Sequence, residues 1–568
     1  MAFVCFPLLE EVGGSFATWY QLEPDGFAGF GNYTRLFADV MVPVSALHTV
    51  AYLVLTVPAE VALGLVAAWA TLRVKVGRGL LTVVFLLPLA VPWTVAGQVF
   101  LGWFNVNGVA DRLGHDLLGL PPGLLWLYHP RLAFGAVVAL AIWKGAPWCY
   151  LLLLGALSNC PEDVIEAARV DGARGFTLWA RVVLPSVRPM LAFVVALRLL
   201  AEAQAYQPVA LLTNGGPSFP GGTSLIGFYA NKLAFGYYNF GEASAMGALI
   251  GVGLVMVAFA GYRAAYPREG RRSRLRHLVG SLARSGRRAT RPARGAPGPA
   301  GWVAPAHSAV HPRRSLGTSV RWAAHRRRLL LALMALLVLA PFAGEAPGWP
   351  GTHVLSGTNW PLVESGLWNS LLLSAVTVVG TLALAVPATY LLAYGRSRLR
   401  GPLFLFVLFT LAVPGVIFIY PQYEEIVRLG LVNTRAGMAV LYVTANLPLA
   451  VFFLRPAFAA VPRSLFDAMR VDGASNFTIV VRLVLRHAAS TLVAVSVLTL
   501  VWVWGEYQVA QAVLSPSNQA ANTLPLDIFN GTVGNPLGPY LLSLGPPLLL
   551  FFATQRVFRK GLVSSELL

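Results

Sequence analysis

Apolar runs long enough to cross a bilayer recur along this chain, each closed off by a short polar stretch. A hydrocarbon core about 30 Å thick needs roughly 20 predominantly apolar residues in a helix. Such windows fall near 44–71, 78–102, 131–157, 186–211 and 242–262, then near 329–346, 367–394, 401–421, 436–458, 487–512 and 537–556. The opening "MAFVCFPLLEEVGGSF" is apolar but short, and it carries Glu10 and Glu11. It reads as a first helix that is clipped or partly interfacial; with no basic residue ahead of its apolar run, it does not read as a cleaved leader. The pattern predicts an all-α polytopic membrane protein of about 12 transmembrane helices, the first one short, in two sets of six.

The two sets are separated by a stretch of opposite character. Residues 263–328 hold seventeen arginines and one acid, Glu269, so that +16 of the formal net charge of +19 sits there. Positive charge resists translocation and is drawn to anionic inner-leaflet lipids. The expected organisation is therefore a first half at 1–262, a basic cytoplasmic linker at 263–328 and a second half at 329–568. Composition agrees, with 56% hydrophobic and 12% charged residues and a mean hydropathy of +0.65. The basic stretch lacks the interleaved aromatics of a nucleic-acid platform, so no nucleic-acid partner is expected. The basic segments at 73–78, 396–400 and 556–560 should share the linker's side, with 21–40 and 105–128 opposite. Both termini then lie in the cytoplasm, and the chain is a multi-pass protein of a bacterial-type cell membrane, in contact with its lipids. Cys5, Cys149 and Cys160 form no CxxC pair.

One polar phrase occurs twice. "EAARVDGARGF" begins at Glu166 and "DAMRVDGASNF" at Asp467, 301 residues later, and 161–185 matches 462–486 at twelve of 25 positions. Each copy reads as a short helix with Pro161 or Pro462 in its first turn, where a missing N–H is tolerated, and Gly172 or Gly473 just past its end. Glu166 and Arg169, three apart, share a face, and small Ala167 and Ala168 permit close approach of another surface. By span count and charge both phrases lie on the cytoplasmic side, and the halves are a parallel duplication.

These residues resemble the membrane subunits of binding-protein-dependent ABC importers, whose cytoplasmic loop carries EAA, three residues, Gly, nine residues, then I-x-L-P. The first copy has Glu166, Ala167, Ala168, Gly172, Val182, Leu184 and Pro185; the second departs with Asp467, Met469, Leu483 and Arg486. The resemblance implies two six-helix permease halves of the type I importer fold, and a loop that is a coupling helix on a separate ATPase. It carries that role onto Glu166, Ala167, Ala168, Arg169, Asp171 and Gly172, and onto Asp467, Ala468, Arg470, Asp472 and Gly473. Further phrases, "LLTNGGPSFPGGTSLIGFYANKLAFGYYNFGEASAM" from Leu211 and "EEIVRLGLVNTRAGMAVLY" from Glu424, with "VWVWGEYQ" from Val501 and the closing "RVFRKGLVSS", are similar to the first and second permease subunits of maltose- and oligosaccharide-type importers. The resemblance therefore implies the two subunits fused in one chain, a carbohydrate as substrate, two copies of an ABC ATPase and an extracytoplasmic sugar-binding protein. Ferric-iron-type importers also fuse their permeases, but their loops read "LGA" where this chain has Asp171, Gly172 and Ala173.

No GxxxxGK[ST] loop is present, and the four lysines, Lys75, Lys144, Lys232 and Lys560, lie in no phosphate cradle. ATP and its Mg²⁺ therefore belong to the partner ATPase, no cofactor is expected on this chain, and no metal or catalytic set is legible. Ionisable groups within a span are costly, about 2.5–3.5 kcal/mol on insertion scales, and default to cavities or partners. Lys144, in "AIWKGAPWCY", and Glu202, in "LLAEAQAYQP", are such groups. The resemblance aligns Lys144, Gly145 and Trp148 with a sugar-lining stretch and Glu202 with a sugar-contacting position. Lys144 and Glu202 are expected to face one midmembrane cavity as an ion pair, or else to form a purely structural pair. Glu506, Tyr507 and Gln508 supply polar and aromatic groups in the second half that suit sugars, while Trp502 and Trp504 pack helices or sit at the interface. The alternatives that stay open are a fused ABC permease for ferric iron or polyamines, an ion-driven secondary transporter, which often shows inverted repeats, and a membrane scaffold.

Overall fold

The computed structural model describes residues 9–265 and 357–561, with short interruptions at 21–22, 75–77, 107, 120, 159, 161, 174, 217–221, 396, 413–414, 516–517 and 535–536; of 266–356 only residue 332 is described. The expected span near 329–346 and the linker beyond 265 lie outside the described residues. Among the described residues, four helices are long and apolar enough to cross a membrane: Met41–Leu72, Pro130–Ser158, Trp360–Tyr394 and Arg435–Ala459. Three bent helix pairs bring the number to seven if each pair is one span. Leu81–Ala90 and Trp93–Phe104 meet at 98°, Trp179–Ser186 and Arg188–Glu202 at 65°, and Asn476–His487 and Ala489–Gly505 at 77°. Phe240–Ala265 and Leu537–Gly561 close the two halves.

The expected windows among the described residues thus become helices, but the windows 78–102, 186–211 and 487–512 do not run through as single helices. The last two stop short in a similar way. Each ends early, at Glu202 and Gly505, and restarts as a short helix, Gln207–Leu212 or Gln508–Val513. At the start, residues 9–14 make a short helix, and an antiparallel hairpin of Ala17–Tyr20 and Glu23–Phe27 follows. That hairpin is an addition to the all-α expectation.

Both halves are built on the same helix pair. Met41–Leu72 packs along Pro130–Ser158, and Trp360–Tyr394 along Arg435–Ala459. Small residues set the approach: a Cβ at Gly64 would stand 2.5 Å from Cys149 Cβ and 2.6 Å from the Tyr150 amide nitrogen, and one at Gly380 would stand 2.8 Å from Val443. Small residues serve helix packing in lipid because association there depends on close van der Waals contact. Around the first pair Val57, Leu65, Tyr150, Leu153 and Val194 form a buried core; around the second, Ala385, Leu454, Phe458, Ile479 and Val495 do. Pro147 and Pro448, again 301 apart, stand inside equivalent helices.

Contacts between the halves are reciprocal. Trp93–Phe104 packs on Leu524–Asn530, and its counterpart Gly415–Arg428 packs on Ile226–Asn231; Leu537–Gly561 packs on Arg78–Ala90, and Phe240–Ala265 packs on Arg400–Ala412. Such exchange is what a two-fold relation requires, each patch meeting the partner of its own equivalent. It makes the parallel duplication a property of the tertiary structure.

One ionic contact also joins the halves. Arg428 donates to Glu10 Oε1 at 2.7 Å and to Glu424 Oε1 at 2.5 Å. Burial, with Glu424 and Glu425 nearby, holds the Glu10 carboxyl up at about 6 against the opposing pull of Arg428. Because this value is raised above the usual 4.5, proton binding at Glu10 favours the folded state below about 4.5, and that contribution is lost as pH rises through about 6. Carboxyl-carbon NMR of the protein should find Glu10 titrating near 6, moving down in Glu424→Gln and up in Arg428→Ala; an unchanged titration in both variants would remove these neighbours as its cause.

Candidate functional site

The repeated phrases form two exposed helices of the same build. Glu162–Val170 and Arg463–Val471 each run nine residues. Gly172 and Gly473 follow at φ +84° and +77°, conformations that cost a residue with a Cβ far more than glycine. Past the helix end, Ala173 N–H reaches Ala168 O at 2.9 Å and Ala474 N–H reaches Met469 O at 2.9 Å. These are the six-to-one bonds of a Schellman stop, in the same register in both copies. A π-helical turn then recurs at the 301 spacing, Trp179–Val183 and Val480–Val484. Pro462 stands at the N-cap rather than within the first turn.

Glu166, Ala167, Arg169, Asp171 and Gly172 are exposed, as are Asp467, Ala468, Arg470, Asp472 and Gly473, with Ala168 half-buried. Beside them Val170 is 87% exposed and Val471 88%. On the inner side of the second helix Phe466 is buried against the Tyr394 ring, with centroids 4.5 Å apart. The second helix is therefore fixed to its half on one side, and both helices offer an exposed face that mixes polar and apolar residues.

Within the first half, four polar side chains meet between helices. Arg198 grips Glu60 through two bonds, Nε to Oε2 at 2.8 Å and Nη2 to Oε1 at 3.1 Å. Its Nη2 also donates to Glu202 Oε1, one helical turn away on the same face. The Tyr52 hydroxyl donates to Glu202 Oε2 at 2.5 Å. Tyr52 and Glu60 are fully buried, and Arg198 and Glu202 are each 8% exposed. The third helix of the cluster contributes an absence of side chain, because a Cβ at Gly145 would collide with the Glu60 carboxylate and the Arg198 guanidinium.

Lys144, next to that glycine, does not pair with Glu202. Its Nζ donates to Pro88 O at 2.9 Å and Val91 O at 2.5 Å and stands 5.0 Å from the Trp93 ring centroid. These carbonyls lie at the break between Leu81–Ala90 and Trp93–Phe104, where the helix leaves backbone acceptors without amide partners. The expected ion pair is corrected accordingly: Lys144 caps a broken helix, and Arg198 takes the place beside Glu202. Arg198 and Glu60 were legible as ionisable residues inside the windows 186–211 and 44–71. Their pairing was not, because 138 residues separate them. Trp148 is half-buried on the same helix.

In the second half Glu506 accepts from the Tyr442 hydroxyl at 2.6 Å and from the Val509 and Ala510 amides at 2.7 and 3.3 Å. It therefore caps the N-terminus of Gln508–Val513. Tyr507 is buried against Phe529, with centroids 4.6 Å apart. Trp504 is fully buried and donates to Ser543 O at 2.7 Å, while Trp502 stands edge-on to Tyr442. Gln508 Oε1 accepts from Gln207 Nε2 at 3.4 Å, across 301 residues.

A family profile described as binding-protein-dependent transport system inner membrane component matches residues 60–271 and 385–562. The chain is 32% identical over 249 residues to the trehalose/maltose transport system permease protein MalF of Thermococcus litoralis, covering 43% of this chain and 80% of that protein. It is 30% identical over 229 residues to the sulfoquinovosyl glycerol transport system permease protein SmoG of Agrobacterium fabrum, covering 39% of this chain and 72% of that one. A solved bacterial ABC transporter involved in the import of the acidic polysaccharide alginate aligns with a TM-score of 0.41 at 20% identity, over 47% of this chain and 92% of that chain.

Two glycines of one helix provide a paired test of the buried cluster. Gly145→Ala should lower the thermal midpoint in detergent, because the added methyl displaces the ion pair. Gly135→Ala, with nothing within 4 Å of its Cβ, should leave the midpoint unchanged or raised by the roughly 1 kcal/mol of helix propensity. Arg198→Met should cost about 3–5 kcal/mol by stranding two buried acids, with much of it restored when Glu60→Gln and Glu202→Gln are added.

Proposed function

The chain belongs to the family of binding-protein-dependent transport system inner membrane components, and from that premise we propose that it is the fused permease of an ATP-driven carbohydrate importer. The observation that carries the reading is the pair of exposed, identically stopped helices 301 residues apart, one on each half. A duplicated helix of this kind suits two copies of one ATPase, each with a cleft that accepts an acid, small residues and a valine. Carbohydrate is favoured over iron or polyamine by the relatives, which are trehalose/maltose and sulfoquinovosyl glycerol permeases.

The basic segments that share their side support a cytoplasmic position for the loops. A sugar-binding protein delivers solute to the opposite side, and the path lies between the halves. ATP binding closes the two ATPases on each other, the docked helices follow, and the halves rock to expose the path outward; hydrolysis restores the inward-facing arrangement. Work done at a loop reaches the path only if each half moves as one body. The Glu60–Arg198–Glu202 cluster and the Lys144 cap, which tie several helices of the first half together, support that rigidity. Lys144, Gly145, Trp148 and Glu202 from the first half, and Glu506, Tyr507 and Gln508 from the second, are the residues proposed to border the path. Lys144, Glu202 and Glu506 would border it while already bound to protein partners, so their contribution to sugar contact is secondary to their structural one.

Reconstitution with an ABC ATPase and a sugar-binding protein, with ATP turnover followed across a panel of sugars, tests this reading. Glu166→Arg should abolish association of the ATPase and sugar-stimulated turnover together. Asp467→Arg should weaken both to a smaller degree, since the shorter acid makes the lesser contact. Full turnover in the two variants combined would remove the loops from coupling.

A further inference from the structure

The hydrogen bond between Gln207 and Gln508 joins two positions 301 residues apart, the same interval that separates the two loop helices. Gln207 and Gln508 are thus equivalent positions of the duplication. A residue that touches its own equivalent lies at the axis relating the copies, because only there do a point and its image coincide. The neighbours obey the same rule. Tyr206 stacks on Phe228 with centroids 5.7 Å apart, and Tyr507 lies on Phe529 at 4.6 Å; both members of each pair differ from those of the other by 301. Tyr206, Phe228 and Tyr507 belong to one buried cluster, against which Phe529 packs.

Position along the membrane follows from chain order. Each loop helix precedes its broken span, and each glutamine comes just after that span's far end, at Glu202 or Gly505. The glutamine pair therefore stands at the end remote from the loops. The ionic contact of Glu10 with Arg428 also links the halves.

We propose that Gln207 and Gln508, backed by Tyr206–Phe228 and Tyr507–Phe529, are the closing contact of the solute path on the side away from the loops. This rests on the reading that solute passes between the two halves. A path between pseudo-symmetric halves follows their axis, so a contact on that axis obstructs it. The seal is built to part. It holds a single amide bond at 3.4 Å, near the limit of a useful hydrogen bond. Gln508 Nε2 and the Tyr507 hydroxyl are buried without a hydrogen-bond partner among the described residues. Buried donors without acceptors disfavour the closed arrangement, and separation of the halves lets water reach both. Once open, the same donors face a passing solute and match the hydroxyl oxygens of a carbohydrate.

The test uses the complete chain with Cys5, Cys149 and Cys160 replaced, assembled with an ABC ATPase. In the nucleotide-free complex, cysteines at Gln207→Cys and Gln508→Cys should be joined by a short bifunctional thiol reagent and should resist a hydrophilic maleimide. In the vanadate-trapped complex the cross-link should disappear and maleimide labelling should rise about tenfold, as a shift of the two-state population requires. Gln508→Cys alone gives the labelling readout if the double variant does not fold. A complex that hydrolyses ATP yet keeps the pair cross-linked and unlabelled when trapped overturns the gate and leaves the transport reading intact. Failure of the unsubstituted chain to bind any nucleotide-hydrolysing subunit overturns the reading beneath it.

Discussion

A hydrocarbon solvent gives a polar group no partner but the protein itself, and that constraint organises this molecule. Arg198 is held by two carboxylates from two helices, and Glu202 is finished by a tyrosine hydroxyl. The carbonyls freed at the 98° break are taken by Lys144, and the amides freed after Gly505 by Glu506. Breaks in the spans exist because these side chains make them tolerable. Burying an ion pair is weak evidence for stability, since desolvation offsets most of the attraction. What such a cluster gives is geometry: helices 138 residues apart in sequence are held at one relative position.

Duplication supplies the second organising principle, and it survives unevenly. The loop helices, their glycine stops, the π-helical turns, Pro147 and Pro448, and the Tyr–Phe pairs all keep the 301 interval. The buried polar residues of the central helix pairs do not. Where the first half has Tyr52 and Glu60 on its Met41–Leu72 helix, the Trp360–Tyr394 helix carries Ser370, Ser374, Thr377, Thr381 and Thr389, all buried. The same helix pair is thus held by charge in one half and by small packing residues with hydroxyls in the other. Loop helix and axial contact are shared by the two copies, whereas the polar interior of the helix pair differs.

Exposure separates the two kinds of polar residue. Glu166 and Asp467 are exposed on short helices, whereas Glu60 is fully enclosed. The first arrangement is available to a partner; the second is already complete. Val170 and Val471, nearly as exposed as side chains become, sit beside the acids. Such a surface, apolar at its centre and charged at its edge, is the ordinary anatomy of a protein interface.

Sequence by itself determined the membrane class, most of the span positions, the duplication and the loop helices. Each of these rests on local regularity: the length of an apolar run, or a glycine at the one position where φ must be positive. It also exposed Lys144 and Glu202 as ionisable residues in apolar windows, while Glu60 and Arg198, equally visible there, were passed over. Which of them meet was decided only by tertiary structure, since the pairing of Arg198 with Glu60 depends on how three helices pack around Gly145, a glycine whose role is to have no side chain. The breaks at Glu202 and Gly505 did leave a local mark, Glu202, Gln204, Gln207 and Pro208 in one window and Gly505, Glu506 and Gln508 in the other, but the direction in which the chain turns was decided by packing. Local pattern fixes what a segment is; contact between segments far apart in the chain fixes what its polar groups bind.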